Sequence, residues 1–449
     1  MQVMKWSVIA LAVAAGTSQL AFASAQSESN GFVEDSKLSL LNKNYAFYRD
    51  FRNNASDRQN YRKEWAHGIS TMYESGFTQG TVGFGVDAHG MLGLKLDSGK
   101  GTSGTGLLPT GSDGRSQDDY SYAGGAVKLR VSNTVLKYGN LMPTAPVFAT
   151  GTARLFPGSA EGFQVLSNEI EGLSVDAGHF TSIRDGSAST NRDGAITLAY
   201  NLSSEVIDAQ SVDYVGGTYS FNDQLSASLY GSELEDVWRQ YYGNVNYTIP
   251  LADDQSLGFD FNIYRTTDKG DSKAGDISNT TFSLSASYAI GAHKFTLAHQ
   301  RVNGDEPFDY ISMDGNNAGD SIFLANSVQY SDFNAPGERS WQARYDLNMA
   351  SFGVPGLSFM ARYITGDNAD GTHADANGAY AGGFGKNGKE WERDLEVKYV
   401  VQEGAAKDLS FRVRHASWRS NNDMSGFYSA GSSAIDEVRV ITEYPLDIL

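Results

Sequence analysis

Four cations near the C-terminus fall at spacings that could do chemistry together: Lys398, Arg412, Arg414 and Arg439. Each lies in a short stretch of alternating character. In 394–400, Leu395, Val397 and Tyr399 alternate with Glu396 and Lys398. In 409–415, Leu409, Phe411 and Val413 alternate with Arg412 and Arg414, and in 438–444 Val438, Val440 and Tyr444 stand opposite Arg439. Side chains two apart on a strand share a face, so each stretch presents an apolar face and a cationic one. A guanidinium binds a carboxylate through paired hydrogen bonds, and a row of such groups can pass a carboxylate from one to the next. The plainer account is that these cations pair with acids on the same wall and stiffen it.

The elements that must position them run the length of the chain. Period-two alternation starts at 37–40 and recurs at 81–87, 91–96, 127–131, 135–138, 225–230, 245–249, 257–263, 282–288, 341–347 and 357–363. Ser132, Asn133 and Thr134 read as a hairpin turn, and His89-Gly90 reads as a turn between two further strands. Polar runs at 98–120, 268–279 and 366–389 read as long loops. Leu, Val, Phe and Tyr recur on one face, and short turns alternate with long loops, as in a transmembrane β-barrel whose outer face meets lipid. Asp260, Asn262, Arg344, Asp346 and Arg362 fall on the opposite face, which is costly unless it meets water. A β-sandwich also exposes polar residues, but rarely over so many strands with no linker. The expected fold is therefore all-β, a transmembrane antiparallel β-barrel. About 18 strands of roughly 10 residues fit the length with loops to spare.

Residues 1–25 read as a secretory signal peptide. Lys5 is its one charge, 8–15 is an apolar core, and Ala21-Phe22-Ala23 and Ala23-Ser24-Ala25 are small-residue cleavage patterns. Residues 26–449 then form a single outer-membrane β-barrel domain. The chain has no cysteine, so disulfides do not hold it together. Its net charge of −18 argues against nucleic-acid binding but says nothing of a pore, whose sign is set by the few groups lining it. None of the seven histidines pairs with another at metal-ligand spacing, and Gly83 and Gly85 sit inside a strand rather than a phosphate loop. No metal, cofactor or catalytic centre is expected; a barrel lipase or protease with a triad on its outer wall is the enzymatic alternative.

More specific stretches are Gly31-Phe32-Val33-Glu34-Asp35-Ser36, 73–85, Pro143-Thr144-Ala145-Pro146-Val147-Phe148 with Arg154-Leu155-Phe156-Pro157, 235–242, 321–333 and Tyr444-Pro445-Leu446. In these the chain resembles the OprD-type outer-membrane carboxylate channels, the specific porins of pseudomonads, over essentially its whole mature length. The resemblance implies a barrel in the bacterial outer membrane narrowed by inward-folded loops. It would be a monomer or weakly associated oligomer touching lipid and lipopolysaccharide. It implies passive uptake of carboxylate-bearing small molecules, basic amino acids and small peptides foremost, with carbapenem antibiotics admitted by the best-known member. A general diffusion porin with little selectivity is the alternative.

The resemblance places a basic ladder on Arg49, Lys398, Arg412, Arg414 and Arg439. Barrel closure agrees, because the last strand must pair with the first and brings Arg49 beside Arg439. Across from the ladder the resemblance places an eyelet of Asp320, Ser327, Tyr330 and Asp332, with Tyr200 and Tyr310 nearby, to receive the positive end of a substrate. The plainer readings are turn aspartates bonding their own backbone and interfacial girdle tyrosines. Arg52, Arg58 and Arg62 are all candidates to extend the ladder. Asp305, Glu306, Asp309 and Asp314 make the segment before the eyelet acidic, which would favour cationic solutes. The chain ends in Leu449 instead of the aromatic residue common at barrel C-termini.

Overall fold

The computed structural model describes residues 24–52, 59–184, 194–201, 207–312, 320–424 and 432–449. Residues 1–23 of the expected leader, Arg58 and Asp314 lie outside the described residues. Among the described residues eighteen strands pair antiparallel in one sheet, and the last pairs with the first. In chain order β1 to β6 are Lys37–Arg52, Tyr61–Glu74, Val82–Ser98, Asp119–Val131, Thr134–Leu141 and Ser159–Ile170. Strands β7 to β12 are Leu173–Arg184, Val212–Ser220, Leu225–Leu234, Trp238–Ala252, Gln255–Asp268 and Ser278–Ile290. Strands β13 to β18 are His293–Asn303, Arg339–Asn348, Leu357–Asp370, Lys386–Val400, Ser410–Ser420 and Ala434–Asp447. The closing seam runs from Ser39 opposite Asp447 to Arg52 opposite Ala434. Closure leaves no strand edge to face lipid, where an unpaired backbone group costs several kcal/mol.

Alternation sorts the faces as the sequence requires. Phe84, Leu94, Val127, Leu229, Leu297, Leu395 and Val413 are exposed on the outside, while Gln164, Gln240, Asn262, Thr281, Ser283 and Gln300 are buried on the inside. Outward aromatics form two bands. Tyr61, Trp65, Tyr241, Trp341 and Tyr363 lie toward the long-loop end, and Tyr219, Phe221, Tyr247, Phe295 and Phe411 toward the short-turn end. Such girdles mark the two membrane interfaces. The β4–β5 hairpin turns at Ser132-Asn133, with Val131 opposite Thr134 and Ser132 at φ 54°. The Glu169 carboxylate secures it by accepting from Ser132 Oγ, Asn133 N and Thr134 Oγ1, each at 2.8 Å.

The turn expected at His89-Gly90 does not exist. The chain stays in β3 there, with His89 opposite Met72 on one side and Gly124 on the other. The reason lies in parity. Val82, Phe84, Val86, Leu92, Leu94 and Leu96 all point outward, so the alternation passes through His89-Gly90 without a change of phase. His89 faces inward, edge-on to Tyr122, and a Cβ on Gly124 would lie 2.5 Å from its Nε2.

Two long-loop segments fold back onto the inner wall. In 142–158 the Pro146 carbonyl accepts from Tyr264 OH and the Ala153 carbonyl from Tyr45 OH. The segment 304–338, between β13 and β14, is fixed at several points. Gln300 Nε2 donates to the carbonyls of Asp332 (2.8 Å) and Phe333 (2.9 Å), and Asn326 N donates to Gln300 Oε1 at 2.9 Å. Tyr330 N and Ser331 N donate to the two oxygens of Glu392 on β16.

Candidate substrate channel

The ladder candidates converge because the strands that carry them are neighbours. Lys398 on β16 lies opposite Arg412 on β17, Glu396 opposite Arg414, and Arg414 opposite Arg439 on β18. On β1, Arg49 lies opposite Glu437 and Phe47 opposite Arg439. Cross-strand neighbours are about 5 Å apart, so the five cations form one patch on the inner wall.

Two carboxylates, neither singled out in the sequence, are threaded through it. Glu437 meets Arg49 Nη2 at 2.7 Å and Arg439 Nε at 2.5 Å. Glu396 meets Arg412 Nε at 3.6 Å and Arg414 Nε at 3.0 Å. Each acid is thus shared by two arginines, and Lys398 has no ion-pair partner among the described residues. Five cations against two carboxylates leave three positive charges in excess on this stretch of wall.

Parity separates the two described candidates, Arg52 and Arg62. Arg52 faces outward and pairs with Asp436, so it does not extend the ladder. Arg62 on β2 lies opposite Arg49, donates to the Gly104 carbonyl at 2.9 Å and sits over the Phe51 ring, placing it on the inner side. At the lower end Lys43 donates to the Arg154 carbonyl at 2.8 Å and lies 3.4 Å from Glu443. Arg154 enters from segment 142–158, donating to the Thr105 carbonyl with its guanidinium over Phe47. Lys43 shares its parity with Arg49 on β1, a signal present in the sequence.

Of the eyelet candidates, four form one knot. Asp332 accepts from Ser327 Oγ (2.5 Å), Tyr200 OH (2.5 Å) and Tyr310 OH (3.1 Å). Burial raises the Asp332 carboxyl above its ordinary pKa despite these three donors. Asp320 is solvent-accessible yet enclosed by protein on most sides. That enclosure first, and the Asp332 charge second, raises its pKa to about 6. Tyr200 and Tyr310 are buried in this knot, away from the outer girdles.

Tyr330 departs from the expectation of an eyelet wholly opposite the ladder. Its ring packs 5.1 Å from the Arg49 guanidinium and 5.1 Å from the Trp418 ring, on the ladder side. The next link is Gln329, whose Nε2 donates to Glu437 and whose carbonyl accepts from Arg439. Segment 304–338 therefore touches both sets of groups, with Asp332 two residues from Tyr330.

The acidic run before the eyelet is also not what its composition implied. Asp309 is buried and accepts from Tyr200 N (3.1 Å), Tyr310 N (2.7 Å) and Tyr380 OH (3.1 Å). Glu306 accepts from Ser278 N at 2.8 Å. These two acids anchor the loop instead of offering charge to a solute; Asp305 is exposed.

Residues 30–448 match the family described as outer membrane porin, OprD family. The chain belongs to the OprD family of outer-membrane porins. Porin D of Pseudomonas aeruginosa is 58% identical over 458 residues, with 100% of both chains covered. The porin-like protein GalP of Pseudomonas putida is 35% identical, covering 94% of this chain and 95% of its own. The crystal structure of P. aeruginosa OprD superimposes with a TM-score of 0.81 at 55% identity, covering 96% of this chain and 100% of that one. That of P. aeruginosa OpdK with vanillate gives 0.80 at 34%, covering 93% and 100%. This OprD-family porin is thus a channel of the bacterial outer membrane that passes small molecules, built as a closed barrel of eighteen antiparallel strands.

Proposed function

We propose that this porin takes up carboxylate-bearing small molecules, basic amino acids and small peptides first, along the wall of Arg49, Lys398, Arg412, Arg414 and Arg439. The observation that carries the reading is the excess of cations on that wall, next to a loop that also presents Asp332 and Asp320. The carboxylate end moves along the guanidiniums, while exposed Asp320 receives the ammonium or guanidinium end, with Asp332 and its donors Ser327, Tyr200 and Tyr310 forming the wall behind it. Tyr330 places an apolar ring between the two. Each site is weak, about −4 kcal/mol for millimolar binding, because a tight site would block conduction. The related OpdK was solved with vanillate, itself a carboxylate. Carbapenems carry a carboxylate too and are candidate passengers on the same wall. Residues 1–25 act as the export signal, and the pore closes within one chain, so conduction needs no second copy.

The sharing of Glu396 and Glu437 by four arginines favours a second reading, in which the cations are wall structure and the pore is a general one. Uptake of labelled arginine against glucose into liposomes separates the two. Under the proposal arginine enters faster than glucose and Arg412→Ala/Arg414→Ala erases that preference. Equal entry of both solutes, unchanged in the variant, would make this a general diffusion porin.

A further inference from the structure

The outer wall is apolar over most of its height and turns charged at the long-loop end of β16, β17, β18 and β1. Register sets Arg393, Ser417, Asp436 and Asp50 side by side across the four strands, and Trp391, Arg419, Ala434 and Arg52 in the row nearer the loops. Their parity is that of Leu395, Val413 and Val440, which are exposed on the lipid-facing side. Arg52, Arg393, Arg419, His415, Asp50 and Asp436 line a cavity of about 390 Å³ there.

Not all of these groups are available to a ligand. Arg419 is committed, donating to the carbonyls of Trp418 and Ile435 and to Asp436. Asp436 also holds Arg52 and accepts from Ser417 Oγ, and Asp50 lies 3.8 Å from Arg52. Arg393 is exposed and has no ion-pair partner among the described residues, and His415 Nδ1 is buried without a hydrogen-bond partner among them. Three arginines against two aspartates leave the cavity cationic.

A cation facing hydrocarbon is costly, and the cost falls off toward the interface. Tyr363, stacked on Trp391, and Tyr61, opposite Asp50, place this cavity in the upper aromatic band. At that level an outer membrane presents the phosphorylated sugars of lipopolysaccharide. We propose that the cavity binds a phosphate of a lipopolysaccharide headgroup, with Arg393, unpaired among the described residues, as its principal ligand and Arg52, which it would share with Asp436, as the second. A phosphate monoester brings a charge of about −1.5 to −2 and pairs with guanidinium through two parallel hydrogen bonds. The acyl chains run down the exposed Leu395, Tyr48 and Val440 surface below it. That apolar continuation selects a lipid over a free anion.

The test is native mass spectrometry of the detergent-solubilised full chain, titrated with bisphosphorylated lipid A in the presence of EDTA so that no bridging divalent cation contributes. Arg393→Ala and Arg52→Ala should each weaken binding about tenfold. Arg265→Ala, an outward arginine at the same end on β11, should not. Should Arg52→Ala fail to form a barrel, Arg393→Gln carries the test, since Arg393 makes no ion pair to lose. Equal loss in Arg265→Ala would mean a non-specific lipid annulus, and undiminished binding of dephosphorylated lipid A would remove the phosphate from the argument. Displacement of lipid A by millimolar inorganic phosphate would make this a free-anion site and overturn the proposal.

Discussion

Glu437 holds Arg49 and Arg439 at once, takes a hydrogen bond from Gln329, and is shut from water. Removing one partner from such a buried set costs on the order of 3–5 kcal/mol because the remaining charges are stranded. Glu437→Gln should therefore unfold at lower urea in liposomes, and its reversal potential in salt gradients should move toward anion preference. An unmoved unfolding midpoint would show that the pairing contributes nothing to the wall. Asp320 offers an independent handle. Its carboxyl, raised to about 6, gains its proton as pH falls from 7 to 5, so attraction for cations is lost over that window. Cation preference in planar bilayers should fall with a midpoint near this value, and Asp320→Asn should be low and flat throughout. A variant that keeps the wild-type profile would assign the titration elsewhere. Much of this site was readable from residue parity: Arg412 and Arg414, two apart between Phe411 and Val413, could only face one way. Glu396 stood two residues from Lys398 with the same parity, and its role went unread because a lone strand does not say which cations lie beside it. That Arg62 and not Arg52 continues the patch needs the β1–β2 register and the outward pairing of Arg52 with Asp436.

Segment 304–338 folds onto the inner wall beside the cationic patch, and its described anchors can be tested one wall residue at a time. Gln300 makes three hydrogen bonds to it from β13. Gln300→Leu keeps the bulk and loses all three, so single-channel conductance should rise and its noise increase. An unchanged conductance would mean that the Glu392 contacts, the bond from Phe323 N to Tyr264 OH and the other anchors suffice. Asp309 ties the same segment to Tyr200 and Tyr380, and burial raises its pKa to about 7. The folded loop therefore holds this proton more tightly than an unfolded chain does. Its stabilising contribution is present in full at low pH and is lost as pH rises through about 7. Current fluctuations should grow as pH rises from about 4 to about 7 and level off above that. Asp309→Asn, whose amide oxygen can accept from both Tyr200 N and Tyr310 N, should remove that dependence; fluctuations that still track pH in the variant would point to another group. Strands were legible because their period is short and repeated, as the β4–β5 hairpin and the terminal strands show. His89-Gly90 misled because a glycine beside a polar residue looks like a turn, although the outward set from Val82 to Leu96 never changes phase. The path of 304–338 had no such guide. A loop has no period, and only contacts such as Tyr330 with Arg49 fix which wall it meets.

At the scale of the whole molecule, the barrel exists only if β18 completes it. Deleting 434–447 leaves β17 and β1 with unpaired edges in lipid, and no heat-modifiable, membrane-inserted species should form. Recovery of inserted barrels would mean that β1 and β17 can seal directly. The chain as a whole is strongly acidic, yet its narrow passage carries a cationic strip, so what a solute meets depends on depth instead of on total charge. The two carboxylates built into that strip have a consequence for turnover. An empty pore is not a row of bare cations waiting for an anion, since Glu396 and Glu437 already occupy part of it. Under the proposed passage, a carboxylate meets guanidiniums that these two acids already hold, so each grips it more weakly than a bare arginine would. On that proposal the same shielding would weaken the hold on chloride, and throughput would follow how often solutes reach the mouth.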